Sequence, residues 1–158
     1  MEGESKMKRN WVVQATLASI AFALFTVLPT AALAADCTLA SAAGTWAYSF
    51  SGSVFNAQAN TFVPVATLGS ITFDGHGKAT ASETQASPAG IGPVTYTGTY
   101  TEDADCSGTI TLTSSANTPV TVTVNFVGAN DDNEAYLILT SPGFVMAGTT
   151  KRVKFRGI

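Results

Sequence analysis

Few residues of this chain have side chains suited to acid–base or nucleophilic chemistry, and its single histidine is the first to consider. His76 lies in the segment Asp74-Gly75-His76-Gly77. As a catalytic dyad, His76 and Asp74 would form the histidine–carboxylate pair that nucleophilic and acid–base sites use. The sequence shows no nucleophile with an oxyanion-hole motif to complete such a site, and paired glycines are typical of a turn. We interpret His76 as an exposed turn residue, and we predict no catalytic residues and no enzyme activity.

The two cysteines, Cys37 and Cys106, are the next candidates for chemistry. They lie too far apart to form a zinc site with one histidine, and we predict no metal and no cofactor. In an exported protein, two cysteines are typically joined in a disulfide. A Cys37–Cys106 disulfide would link the N-terminal segment to the middle of the fold. In the chain-entropy account it would stabilise the fold by about 4 kcal/mol.

Aromatic residues recur on the apolar faces of the predicted strands and could line a binding site. Tyrosine hydroxyls among them would orient a ligand within an aromatic cavity. The same side chains could instead fill a solid core, because each buried aromatic removes a large area from water. Tyr136 shares one face of its predicted strand with Ile138, and we expect this aromatic also to point into the barrel. The candidate ligand-binding residues of the interior are Trp46, Tyr48, Phe50, Phe73, Tyr96, Tyr100 and Phe126.

Acidic residues cluster in the segments 102–105 and 131–134, where carboxylates could bind calcium. Neither segment has a recognised calcium-loop spacing, so we interpret both as solvated turns. The whole chain carries 8 Lys+Arg against 11 Asp+Glu, a net charge of −3. A protein that binds nucleic acid through phosphate contacts needs a basic face. We therefore predict no nucleic-acid partner.

The elements that position these side chains are predicted from the alternation of apolar and polar residues along the chain. The alternation predicts strands over 44–54, 65–73 and 78–85, with a loop over 88–93. It continues through to a last strand that begins at Phe144. Eight strands joined by short turns form an antiparallel meander, and closure into a barrel removes its exposed edges. We predict an all-β, eight-stranded antiparallel up-and-down barrel; the alternative is a β-sandwich.

The segment 1–34 is predicted to be a secretory signal peptide, followed by a single domain over 35–158. A basic start precedes an apolar run over 11–28, and Ala32-Leu33-Ala34 is typical of a signal-peptidase site. The chain would then be exported to the periplasm or the medium, with no membrane association after cleavage. An uncleaved anchor is the alternative, and either Met1 or Met7 is the start of translation.

The first and last predicted strands resemble those of calycins, the group of lipocalins, fatty-acid-binding proteins and avidins. Gly44-Thr45-Trp46 opens the first strand, and Lys151-Arg152 lies in the last. The resemblance implies that Trp46 closes one end of the barrel and that Arg152 covers it as a cation–π cap.

A second resemblance covers nearly the whole predicted domain. The segments Phe73-Asp74-Gly75-His76-Gly77, Gly98-Thr99-Tyr100-Thr101 and Asp105-Cys106-Ser107-Gly108-Thr109 are similar to a group of small exported bacterial proteins of unknown function. That group usually has tyrosine at the position of Trp46 and aspartate at that of Ser141. The resemblance implies a fold and an exported location, and it implies no activity.

Three functions are compatible with this pattern. The first is binding of a small, largely apolar ligand inside the barrel. The second is a non-catalytic envelope or secreted interaction protein, and the third is a barrel enzyme of the cyclase or isomerase kind. A ligand-binding barrel should contain a cavity of a few hundred Å³, on the order found for drug-sized ligands. An interaction protein should have a filled barrel and an exposed apolar patch.

Overall fold

A computed structural model of the protein describes residues 37–129 and 133–154. The predicted signal peptide and two acids of the second acidic segment, Asp131 and Asp132, lie outside the described residues. Within the described part of the chain, no helix has the length and apolar character needed to cross a membrane.

Eight antiparallel strands form a closed barrel, in which each strand pairs with the next and the last pairs with the first. The closed barrel confirms the predicted fold and excludes the sandwich. The strands are β1 (Gly44–Asn56), β2 (Thr61–Phe73), β3 (Lys78–Ser87), β4 (Gly90–Glu102), β5 (Ser107–Ser114), β6 (Thr121–Ala129), β7 (Glu134–Leu139) and β8 (Phe144–Arg152).

Strands β2 and β4 begin earlier than the sequence predicts, because each of them tolerates a proline near its start. Pro64 pairs with β1 in a part of β2 that precedes the pairing of β2 with β3. Pro93 pairs with β3 in a part of β4 that precedes the pairing of β4 with β5. Proline cannot donate to a ladder, so it is accepted where a strand lacks one neighbour. The predicted loop over 88–93 is therefore wrong: the turn is short, and β4 begins at Gly90.

In β7, Tyr136 and Ile138 face outward, so the prediction that Tyr136 points into the barrel is wrong. Both side chains are exposed, by 67% and 54%, whereas Ala135 and Leu137 are buried. Both faces of β7 are apolar, so alternation alone does not decide which one is inside. The register decides it, because Leu137 pairs with the inward-facing Phe126 of β6.

The N-terminal segment closes one end of the barrel, which we call the capped end. Cys37 is joined to Cys106, with the two Cα atoms 5.0 Å apart, as the sequence predicts. The short helix α1 (Leu39–Ala42) follows, with Thr38 as its N-cap. The Tyr100 hydroxyl donates to the Leu39 carbonyl at 2.7 Å and so ties α1 to β4. The opposite end, which we call the open end, carries the β1–β2, β3–β4, β5–β6 and β7–β8 turns.

Candidate functional site

At the capped end, Trp46 and Arg152 form the contact that the calycin resemblance implies. They are register partners in β1 and β8, and the Arg152 Cζ lies 4.5 Å from the indole centroid. The guanidinium donates to the carbonyls of Ala43, at 2.6 Å, and Ser41. The indole nitrogen donates to the Ala42 carbonyl at 2.8 Å. The charge of Arg152 is thus held over the ring face by fixed backbone acceptors.

The predicted lining residues divide between two interior cavities that residues of the described ranges form. The smaller, of about 30 Å³, lies against α1 at the capped end. The predicted residues that line it are Trp46, Tyr100 and Phe126. Tyr48, Phe50 and Tyr96 line the larger cavity instead, and Phe73 contacts both cavities.

The larger cavity is the candidate site, and it has a volume of about 70 Å³. This is smaller than the few hundred Å³ expected for a drug-sized ligand. One water molecule needs roughly 10–15 Å³ on this measure, so the cavity has room for several waters or a short organic molecule. Its half-buried lining residues belong to strand segments near the open end. They include Phe50, Gln85, Leu139 and Phe144.

A carboxylate held by two phenols forms the polar wall of this cavity. The Tyr48 hydroxyl donates to Glu83 Oε2 at 2.8 Å, and the Tyr96 hydroxyl donates to Glu83 Oε1 at 3.0 Å. Burial raises the pKa of both phenols well above their ordinary value, and the adjacent Glu83 charge raises the pKa values further. Both tyrosines therefore remain protonated donors in the folded protein.

A glycine makes the Tyr48–Glu83 contact possible. Tyr48 pairs with Gly69 in β2, and Gly69 pairs in turn with Glu83 in β3, so the three residues form one row across the sheet. A Cβ at position 69 would lie 2.4 Å from the Ser82 carbonyl oxygen and 2.6 Å from the Glu83 Cβ. Because Gly69 has no side chain, Tyr48 can reach across β2 to the carboxylate.

Three further polar side chains line the same cavity, and one of them, Thr150, donates its hydroxyl to the Ala47 carbonyl at 2.9 Å. Thr67 is 8% exposed, and its Oγ1 is buried without a hydrogen-bond partner among the described residues. It pairs with Gln85, which lies two residues beyond Glu83 on the inner face of β3. A buried hydroxyl without a partner costs free energy, and a ligand or water in the cavity would offset that cost.

The sequence analysis did not identify Glu83, Gln85 or Thr67 as site residues. The segment 78–85 reads as a polar strand, yet Ala79 and Ala81 are buried. Continued alternation from these two small residues places Glu83 and Gln85 on the same inner face. That alternation was the available signal.

The structure places His76 in the exposed turn between β2 and β3. The Asp74 Oδ1 accepts the backbone N–H groups of His76, at 2.7 Å, and Lys78, at 2.9 Å. These two bonds lower the pKa of the Asp74 carboxyl, with the Lys78 bond contributing most. The described ranges contain no cluster of three or more His, Cys, Asp or Glu residues placed to hold a metal ion.

Comparisons with family models, with curated proteins and with solved structures found no match to this chain. The closed eight-stranded barrel and its disulfide are consistent with a calycin-like fold.

Proposed function

We propose that this protein is an exported, non-catalytic barrel that binds a small and largely apolar ligand in the cavity near the open end. The observation that carries the proposal is the combination of apolar walls with converging polar groups. Aliphatic side chains such as Ile110, Leu112 and Val124 form the apolar wall. Glu83 with its two phenols forms the polar side. Ligand sites in proteins typically combine these two features.

The disulfide supports the exported location, since such bonds persist in oxidising compartments. The proposal includes cleavage of the segment 1–34 and release into the periplasm or the medium. It also places the chain with the small exported bacterial proteins that share its Phe-Asp-Gly-x-Gly motif.

Native mass spectrometry of protein purified from its host tests this function. We expect an added mass that is lost on denaturation, and the released compound identifies the ligand. A bare mass, together with no uptake from a metabolite extract, would reject the binding function. The same spectrum reports whether the chain starts at Ala35.

A matched pair of substitutions on β6 assigns any bound mass to the cavity. Val122 is buried and lines the cavity, whereas Val127 of the same strand is 55% exposed on the outer face. We expect Val122→Phe to fill the cavity and abolish the added mass. Val127→Phe should retain it. Circular dichroism of both variants checks that each one folds.

The alternative function is recognition of a protein partner, and the outer face of the barrel favours it locally. Val127 and Tyr136 are exposed register partners in β6 and β7, and Ile138 follows on the same face. Exposed apolar patches mark interaction sites in many soluble proteins. A bare native mass combined with loss of a partner on Tyr136→Ser would favour this function over ligand binding.

A further inference from the structure

The charge of the cavity wall indicates the chemical class of the ligand. Among the described residues that line the larger cavity, Glu83 is the only side chain that carries a formal charge. The same lining contains no lysine, arginine or histidine. A carboxylate facing apolar walls is costly unless hydrogen bonds and a positive charge compensate it.

The two phenols compensate the carboxylate only in part. Each carboxylate oxygen accepts one hydrogen bond from a tyrosine, and each can accept another. Because the phenols remain neutral, their donation leaves the negative charge of Glu83 in place. A ligand with a positive charge and N–H donors would complete both the charge balance and the hydrogen bonding.

Thr67 supplies an independent observation on the same side of the cavity. Its buried Oγ1 has no partner among the described residues, and its register partner Gln85 places an amide group, which includes an acceptor oxygen, on the inner face. Glu83, Thr67 and Gln85 therefore present several acceptors from two neighbouring strands. A group with more than one N–H matches this arrangement better than a single hydroxyl does.

We propose that the cavity binds a small primary amine, whose ammonium group pairs with Glu83 and whose apolar body contacts the aliphatic wall. The volume of about 70 Å³ corresponds to roughly five to seven water-sized positions, which limits that body to a single small ring, a short chain or a larger group that extends through the open end. This inference rests on the proposed function, because it requires the cavity to take up a ligand.

Titration calorimetry of the wild-type protein at pH 7 tests the amine preference with three probes of similar shape. The probes are benzylamine, benzyl alcohol and benzoate. We expect benzylamine to bind roughly tenfold or more tighter than the alcohol, and benzoate to bind most weakly. Equal affinities for amine and alcohol would overturn the amine assignment and leave ligand binding intact. If no probe binds, the amine assignment fails, and the native mass spectrum decides separately on the proposed function.

A charge-matched pair of variants assigns the preference to Glu83. Glu83→Gln removes the carboxylate, whereas Asp103→Asn removes one negative charge from an exposed turn at the capped end. We expect Glu83→Gln to weaken benzylamine binding by roughly tenfold or more and to leave benzyl alcohol unchanged. Asp103→Asn should bind both probes as the wild type does. An unchanged amine affinity in a folded Glu83→Gln variant would overturn the proposal.

A quaternary probe separates charge from hydrogen bonding, and it needs no variant. Benzyltrimethylammonium carries the same charge as benzylamine and has no N–H donor. We expect its affinity to be roughly tenfold or more below that of benzylamine, because the acceptors of Glu83 and Thr67 then stay unpaired. Equal affinity for the two cations would overturn the role given to the N–H groups.

Discussion

Three polar side chains at the capped end and two near the open end of the barrel differ in their hydrogen-bond partners. At the capped end, the Trp46 indole, the Arg152 guanidinium and the Tyr100 hydroxyl all donate to backbone carbonyls of the N-terminal segment. Near the open end, the Glu83 carboxylate faces a cavity and the Thr67 hydroxyl has no partner within the described residues. Satisfied polar groups stabilise a fold, whereas partly satisfied ones are costly to it and are retained for binding. On the proposed function, this difference assigns stability to the capped end and ligand binding to the open end.

Among the variants, Trp46→Ala at the capped end should have the largest effect on the free energy of unfolding. The indole is 5% exposed, and its removal leaves a cavity as well as an uncovered guanidinium. We expect the free energy of unfolding to fall by roughly 3–5 kcal/mol in urea titrations. Phe50→Ala, at a half-buried aromatic near the open end, is the matched control and should cost less. Equal losses for the two variants would contradict the division between the ends.

Removal of the disulfide should cause the second-largest loss of unfolding free energy. The bond joins residues 69 positions apart and anchors the segment that carries α1. We expect the double variant Cys37→Ser, Cys106→Ser to lose roughly 2–4 kcal/mol of unfolding free energy. Reduction of the wild type with dithiothreitol should give the same loss. A loss well below 1 kcal/mol would show that the capped end holds without the covalent link.

The two cavity phenols should make the protein sensitive to alkali. Their pKa values are raised in the folded state, so their contribution to stability is fully present below the unfolded value of 10.0. It is lost as the pH rises above that value, by roughly 1.4 kcal/mol per pH unit for each phenol. Urea titrations between pH 9 and 11 measure this slope. The double variant Tyr48→Phe, Tyr96→Phe should reduce this slope without abolishing it, because burial also raises the pKa of Tyr100. An unchanged slope in the double variant would contradict the role given to the two cavity phenols.

The smallest expected effect on stability belongs to Glu83. Glu83→Gln removes a charge from an apolar wall and also weakens two hydrogen bonds, and these effects oppose each other. We expect the free energy of unfolding to change by less than about 1 kcal/mol in either direction. A larger loss, approaching that of Trp46→Ala, would mean that the carboxylate is part of the stabilising core.

Alternation along the strands, together with the argument that closure removes exposed edges, was sufficient to predict the barrel. Strand β7 is the exception, because both of its faces are apolar and alternation did not show which one is inside. The contact between Trp46 and Arg152 at the capped end was also predicted, because Gly44-Thr45-Trp46 and Lys151-Arg152 resemble the first and last strands of calycins. The contact between Tyr48 and Glu83 could not be predicted from the sequence, because it depends on the register of three strands and on the missing side chain of Gly69. The volume of the cavity depends on how many side chains pack together, and alternation does not contain that information.

Residues Trp46 and Arg152 face each other across the β1–β8 pairing, so the first strand starts and the last strand finishes at the capped end. This arrangement has a practical consequence for engineering. A short peptide that links the end of β8 to Cys37, with new termini at the Pro88-Ala89 turn, would give a circular permutant that retains every strand pairing and the capped end. A dye placed at those new termini would sit beside the larger cavity, and a surface attachment at the linker would point that cavity away from the support. On the proposed function, the permuted barrel would serve as the scaffold of an immobilised fluorescent sensor for its ligand.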